Sequence, residues 1–170
     1  MSLLLKAFRH ALGIHGTGDG SLSHTITIYK MEAVDYIDYS DGEFVEEKML
    51  IGFFDSLATC RDVEDDYKNL PGFSLASCKF AVTPYSLPTV KDRFVDQVFF
   101  VQEWVYDERT GEESITEIGV FSTLKEAETE KAKYLALKNQ NTDQTSYNES
   151  IYIDAYKINE RHWTEGFTRE

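Results

Sequence analysis

Apolar residues recur at steps of three and four along Leu57, Cys60, Val63, Tyr67 and Leu70, with Glu64 beside Val63. That spacing predicts an amphipathic helix. Asp55-Ser56 ahead of it are N-cap residue types. A second helix is predicted along Leu124, Ala127, Lys131 and Tyr134, where Lys131 buries its aliphatic stem and Thr123 with Glu126 has capping-box spacing. Each helix follows a hairpin whose first limb is rich in aromatic and β-branched residues. The first runs from TITIYKMEAVDYI through Ser40-Asp41-Gly42-Glu43 into FVEEKMLIGFF, with Asp41-Gly42 as a strong turn signal. The second runs from VFFVQEWVYD through Arg109-Thr110-Gly111-Glu112 into SITEIGVF. A further strand follows each helix, KFAVTPYSL and SIYIDAYKI. Pro84 predicts an edge position or a bulge for the first of these, and the polar run NQNTDQTSYNES predicts a longer connection before the second.

The phrase IGFFDSL thus returns as IGVFSTL at an offset of 67 residues, and over the twenty aligned positions six are identical. They pair Ile51, Gly52, Phe54, Leu57, Tyr67 and Leu70 with Ile118, Gly119, Phe121, Leu124, Tyr134 and Leu137. Tyr85 aligns with Tyr156 and Leu87 with Ile158. Glu32 aligns with Glu103 if the first hairpin is about four residues longer. Each copy reads as strand, strand, helix, strand. One such unit covers a single face of a small sheet, so two copies are expected to pack about a pseudo-twofold axis, as subunits do in a symmetric dimer. The expected fold class is α+β: two ββαβ repeats, a mixed but largely antiparallel sheet and one helix per repeat. Repeat one spans 24–90 and repeat two 95–167, in one domain; residues 1–23 read as an amphipathic helix or arm followed by a Gly- and Ser-rich joint.

The chain closes on His162-Trp163-Thr164-Glu165-Gly166-Phe167, and Leu70-Pro71-Gly72-Phe73 follows the first helix. With the two strands and helix-opening phrase before them, these strings resemble a family of small uncharacterised bacterial proteins, a domain of unknown function with a ββαβ unit and a terminal Trp-Thr-Glu-Gly-Phe. The resemblance is clearest over 97–167 and weaker over 24–88. It implies a bacterial origin and a fold, with no reaction attached. Repeat one lacks the tail, having Pro88-Thr89-Val90-Lys91-Asp92 near its place, and repeat two has Leu137-Lys138-Asn139-Gln140 where the Leu-Pro-Gly-Phe exit belongs. The two copies divide the family's features between them.

Charge narrows the partners. With 17 basic residues against 30 acidic ones the formal net charge is −13, which disfavours phosphate backbones and anionic membrane surfaces and leaves a basic protein partner open. No apolar run has the length of a spanning helix. The two cysteines, Cys60 and Cys78, form no CxxC and suit a reducing compartment, so a cytoplasmic location is expected.

Candidate chemistry is sparse. The four histidines form no ligand motif, Gly13–Gly18 lacks the strand that a dinucleotide fingerprint needs, and Cys60 reads as a packed helix residue. Neither a metal nor a cofactor is expected, and no catalytic residue is assigned. Candidate binding residues are Tyr29, Glu32, Glu103 and Trp104 on the strands and His162, Trp163 and Glu165 in the tail. Glu32 and Glu103, if they meet across the pseudo-twofold, would shift each other's pKa. Surplus strand aromatics (Tyr36, Tyr39, Tyr106 and Tyr152 among them) suit either the inter-repeat seam or an exposed interface. The expected function is a non-catalytic, cytoplasmic interaction protein, immunity-like in one version. The alternative is a small-molecule site or enzyme at the seam, and a homo-oligomer is a further way to cover exposed aromatics.

Overall fold

The computed structural model describes residues 24–38, 44–74, 78–89, 94–141 and 147–167. The N-terminal arm and the Asp41-Gly42 turn lie outside them. Repeat one contributes β1 (His24–Asp38), β2 (Phe44–Phe54), α1 (Leu57–Lys68), the short α2 (Pro71–Ser74) and β3 (Lys79–Thr89). Repeat two contributes β4 (Gln97–Asp107), β5 (Glu112–Phe121), α3 (Leu124–Asn141) and β6 (Tyr147–Lys157). The chain is α+β, with two three-stranded antiparallel sheets of equivalent order, β2-β1-β3 and β5-β4-β6. Among the described residues, parallel pairing is confined to one bridge, Phe53 to Ile158. Pro84 and Pro88 lie in β3, which pairs with β1 alone, as an edge strand with missing donors requires.

Local chemistry sets the helix ends. Ser56 caps α1 by accepting the Thr59 amide at 3.1 Å. At the start of α3 the Thr123 amide donates to Glu126 Oε2 at 3.1 Å and the Glu126 amide to Thr123 Oγ1 at 3.2 Å, the reciprocal pair of a capping box. Pro71, which has no N–H to continue the ladder, stops α1, and the chain restarts as α2. Lys138 stands in that place in repeat two, so α3 continues to Asn141 and absorbs the start of the polar run expected to be loop. Cys60, Val63 and Tyr67 are buried as their spacing predicts, whereas Leu57 and Leu124, the first residues of their helices, are about half exposed.

The two copies share a bulge. Between Met31 and Glu32 the β1–β2 register slips opposite Gly52, and between Val101 and Gln102 the β4–β5 register slips opposite Gly119. Met31 and Val101 are therefore the equivalent pair, which makes Ala33, rather than Glu32, the counterpart of Glu103. The sequence alignment was one residue out on this strand, and in a strand one residue reverses the face.

Two apolar layers result. Met31, Ala33, Ile51, Phe54, Cys60, Val63, Tyr67 and Phe73 form the core beneath α1. Ile28, Phe53, Leu87, Val98, Phe100 and Val120, drawn from both repeats, form the seam between the sheets. Phe53 meets Phe100 edge-on at 5.7 Å and Tyr156 at 5.4 Å. With α3 on the far side of its own sheet, the order of layers is helix, sheet, sheet, helix. Lys30, 5% exposed, lies across the seam from repeat two: its ammonium sits 5.3 Å from the centre of the Phe100 ring and pairs with Glu117 and Glu32. Tyr85 donates its hydroxyl to the same Glu117.

Past β6 the chain leaves repeat two and straps repeat one. The Asn159 amide donates to the Phe53 carbonyl at 2.7 Å and the His162 amide to the Ile51 carbonyl at 2.9 Å, along the edge of β2. The Asn159 side chain also accepts from the Asp55 backbone amide at 3.2 Å and donates to the Asp55 carboxylate at 2.9 Å, and Arg161 pairs with Asp66 at 2.6 Å. Trp163 and Phe167 then pack edge-on around Phe73, at 5.1 and 6.1 Å. The tail of one copy thus completes the Leu-Pro-Gly-Phe exit of the other. The fit is close: a Cβ on Gly166, where φ is +79°, would lie 2.5 Å from the backbone of Gly72.

Gly166→Ala should therefore cost at least ~3 kcal/mol, from left-handed strain plus the backbone clash. Gly111→Ala, at a similar φ of +73° but facing open space, should cost ~1 kcal/mol. Urea denaturation of both variants checks this, and equal losses would mean that the strap is not tightly docked.

Candidate functional site

The candidate residues fall into separate places. Tyr29 packs against the core beneath α1. Glu32 stays beside Lys30, 3.0 Å from its ammonium, at the seam. Glu103 is buried on the α3 side of β4, where it accepts hydrogen bonds from the Tyr134 hydroxyl at 2.8 Å and the Lys138 ammonium at 2.6 Å. Trp104, the next residue, projects from the opposite face. The seam pocket expected from Tyr29, Glu32, Glu103 and Trp104 is thus not formed: the two carboxylates do not face each other, and aliphatic and aromatic side chains fill the place between the sheets. In the tail, Trp163 packs against the core beneath α1, while His162 is exposed and lies edge-on to Tyr156 at 4.9 Å. Glu165 is exposed, and its carbonyl is what a Cβ on Gly72 would strike, at 2.3 Å. Of the three, Trp163 alone packs against that core.

The buried Glu103 cluster explains a second feature. Tyr67 and Tyr134 are equivalent in the two helices, but the strand position that holds Glu103 in repeat two holds Ala33, in the same core as Tyr67, in repeat one. The Tyr134 hydroxyl therefore has a carboxylate partner, and the buried Tyr67 hydroxyl has none. Burial raises the Tyr67 pKa, partly offset by Arg161 and reinforced by Glu165. Burial, with Asp55 nearby, pushes the Cys60 thiol up to about 11 against the pull of a backbone hydrogen bond. Cys60 is therefore a protonated, enclosed thiol, the reverse of an activated nucleophile.

One concavity combines apolar and polar groups. Gln102, Trp104, Ile115 and Tyr152 line an open cleft of ≈ 300 Å³. Register places them in rows across the sheet: Glu117, Gln102 and Tyr152; then Ile115, Trp104 and Ser150; then Glu113 and Tyr106. Directly opposed residues share a face, and it is the face that carries Phe100 and Val120 into the seam further along. Beyond the seam it is uncovered: Ile115 is 68% and Tyr152 50% exposed. Trp104 stacks on Tyr106 with ring planes 5° apart and centroids at 6.0 Å. Carboxylates border the aromatics, with Glu113 and Glu117 on β5 and Asp154 on β6, the last accepting from Gln102 Nε2 at 3.4 Å. Among the described residues no group of His, Cys, Asp and Glu converges in a way that would hold a metal ion.

Sequence reasoning found Trp104 but placed it with the wrong neighbours, and did not single out Ile115. An exposed Ile in the acidic run Glu112-Glu113-Ser114-Ile115-Thr116-Glu117 was the available signal. No family model matches the chain, and no curated protein or solved structure does. No helix among the described residues is long and apolar enough to cross a membrane.

The buried groups make two outcomes testable. Tyr134→Phe should lose ~1.5–3 kcal/mol, the worth of a hydrogen bond to a charged group, whereas Tyr67→Phe should be neutral or gain ~1 kcal/mol by removing an orphaned hydroxyl. Paired chemical denaturation measures the contrast; equal losses would refute the asymmetry. Because the folded Cys60 pKa lies above that of an unfolded thiol, the unfolded chain ionises first as pH rises. Stability should fall between pH ~8.5 and ~11 by up to ~3 kcal/mol. Cys60→Ala should remove that part of the alkaline decline, read as the difference in melting temperature between the two proteins across the interval.

Proposed function

We propose that this chain is a non-catalytic bacterial cytoplasmic interaction protein, and that the open face of β5-β4-β6 binds a basic protein partner. The observation that carries the reading is the open cleft in which half-buried Trp104 lies beside exposed Ile115 and Tyr152, bordered by carboxylates. Water-exposed aromatic and aliphatic groups on one sheet face are costly to leave open and characteristic of interaction surfaces. The neighbouring acids and the net charge of −13 select for a basic partner and speed its approach. An arginine or lysine side chain laid on Trp104 or Tyr106 would gain a cation–π contact as well as ion pairs.

Holding a basic toxin inactive, an immunity-type role, is one concrete form of this function. The resemblance of the tail and helix-exit strings to a family of small bacterial proteins fits the setting and adds no chemistry of its own. A small-molecule site is the weaker reading, since the cleft is shallow, open and at the lower end of ligand-pocket volumes.

Wild-type and Ile115→Arg proteins as baits in a native bacterial lysate provide the test. Position 115 is exposed, so the substitution leaves the core intact while adding a charge at the centre of the face. A basic protein retained by the wild type at low salt and reduced at least tenfold with Ile115→Arg is the expected result, as for a central interface residue. Equal retention by both baits, or retention by neither, overturns the reading.

A further inference from the structure

We propose that the partner of this face is engaged as an added β-strand: a basic, extended segment pairs along the β5 edge, with a Lys or Arg opposite Glu113 and an apolar side chain opposite Ile115. This rests on the reading that the sheet face binds a basic protein, and goes further by naming the recognition element.

Among the described residues the four sheet edges are not alike. β3 carries Pro84 and Pro88. The β6 edge is occupied at Ile151, whose carbonyl accepts the Lys131 ammonium at 2.6 Å. The β2 edge is taken at its helix end by the C-terminal strap, through the Ile51 and Phe53 carbonyls, and further along it mixes charges, Lys48 pairing with Glu46 at 3.3 Å. Proline, a lysine and a covering segment are the standard ways of closing an edge. None of them is found along Glu112–Thr116 among the described residues. This stretch of β5 pairs only with β4 and is exposed throughout.

Charge says what fits there. Glu112 and Glu113 on β5 and Asp107 and Glu108 at the turn make this end of the sheet acidic, and Arg109 is committed to Asp107 at 3.1 Å. Two such edges repel each other, so a second copy is disfavoured, while a basic strand is attracted. Directly opposed side chains in an antiparallel pair lie about 4.5–5.5 Å apart. A residue facing Glu113 is thus placed for an ion pair. The residue two positions away faces Ile115 and extends the apolar row of Trp104 and Ile115 by one more side chain. Backbone pairing supplies affinity and the alternating positions supply selectivity, as in other strand-addition complexes.

A synthetic peptide of pattern Lys-Thr-Val-Thr-Lys, titrated into the full chain, tests the pairing, with a peptide N-methylated on its backbone amides and a Glu-Thr-Val-Thr-Glu peptide as comparisons. Binding read by tryptophan fluorescence should weaken at least tenfold on N-methylation and with the acidic peptide. Amide hydrogen exchange within Glu112–Thr116 should slow at least tenfold on saturation. Glu113→Lys should transfer preference to the acidic peptide. Binding of the basic peptide without slowed exchange on β5 overturns strand addition while leaving the open face as an interaction surface. No binding, or equal binding of the N-methylated peptide, overturns the proposal whatever the lysate baits retain. Slowed exchange on β5 that appears with protein concentration alone assigns the edge to self-association and overturns it too.

Discussion

A three-stranded sheet with one helix on it has a second face, and in this protein neither sheet can leave that face in water. Ile28, Phe53 and Leu87 in repeat one and Val98, Phe100 and Val120 in repeat two are buried only because the two faces meet. The rest of the structure depends on this seam. It decides which end of each sheet is covered, brings Lys30 over Phe100 and against Glu117, and carries the end of β6 to the edge of β2. A buried lysine is tolerable there because two carboxylates and an aromatic face replace its water.

The duplication is structural in origin but unequal in outcome. Repeat one has the Pro71-Gly72-Phe73 exit and receives the tail; repeat two supplies the tail and has a helix that runs on. Trp163 and Phe167 finish the core beneath α1, and no such strap from repeat one reaches α3 among the described residues. In its place repeat two has a polar solution, Glu103 held by Tyr134 and Lys138. Loss of symmetry also frees surface. The seam covers the helix-proximal ends of the strands, and the hairpin end of β5-β4-β6 extends past it with Ile115 and Tyr152 exposed and Trp104 half-buried. The functional reading rests on that overhang.

Much of the fold is legible in the sequence. Six identities at one offset, with matching caps and periodicity, are enough for the repeats and their element order, because helix faces, N-caps and edge prolines are local consequences of residue type. Cys60 as a packed residue is legible for the same reason. The site is not. Its residues were sought at Glu32 and Glu103 on the strength of an alignment one residue out, and a bulge opposite a glycine in each copy corrects it.

The amino-acid sequence by itself determined the two ββαβ units and where their two main helices start, since each depends on neighbours within a few positions along the chain, and it set the acidic balance. Only the tertiary structure decided which copy the tail closes, which face each glutamate takes and which part of which sheet stays open. Those depend on the angle and extent of contact between two sheets, and contact between residues distant in the chain leaves no local periodicity to read.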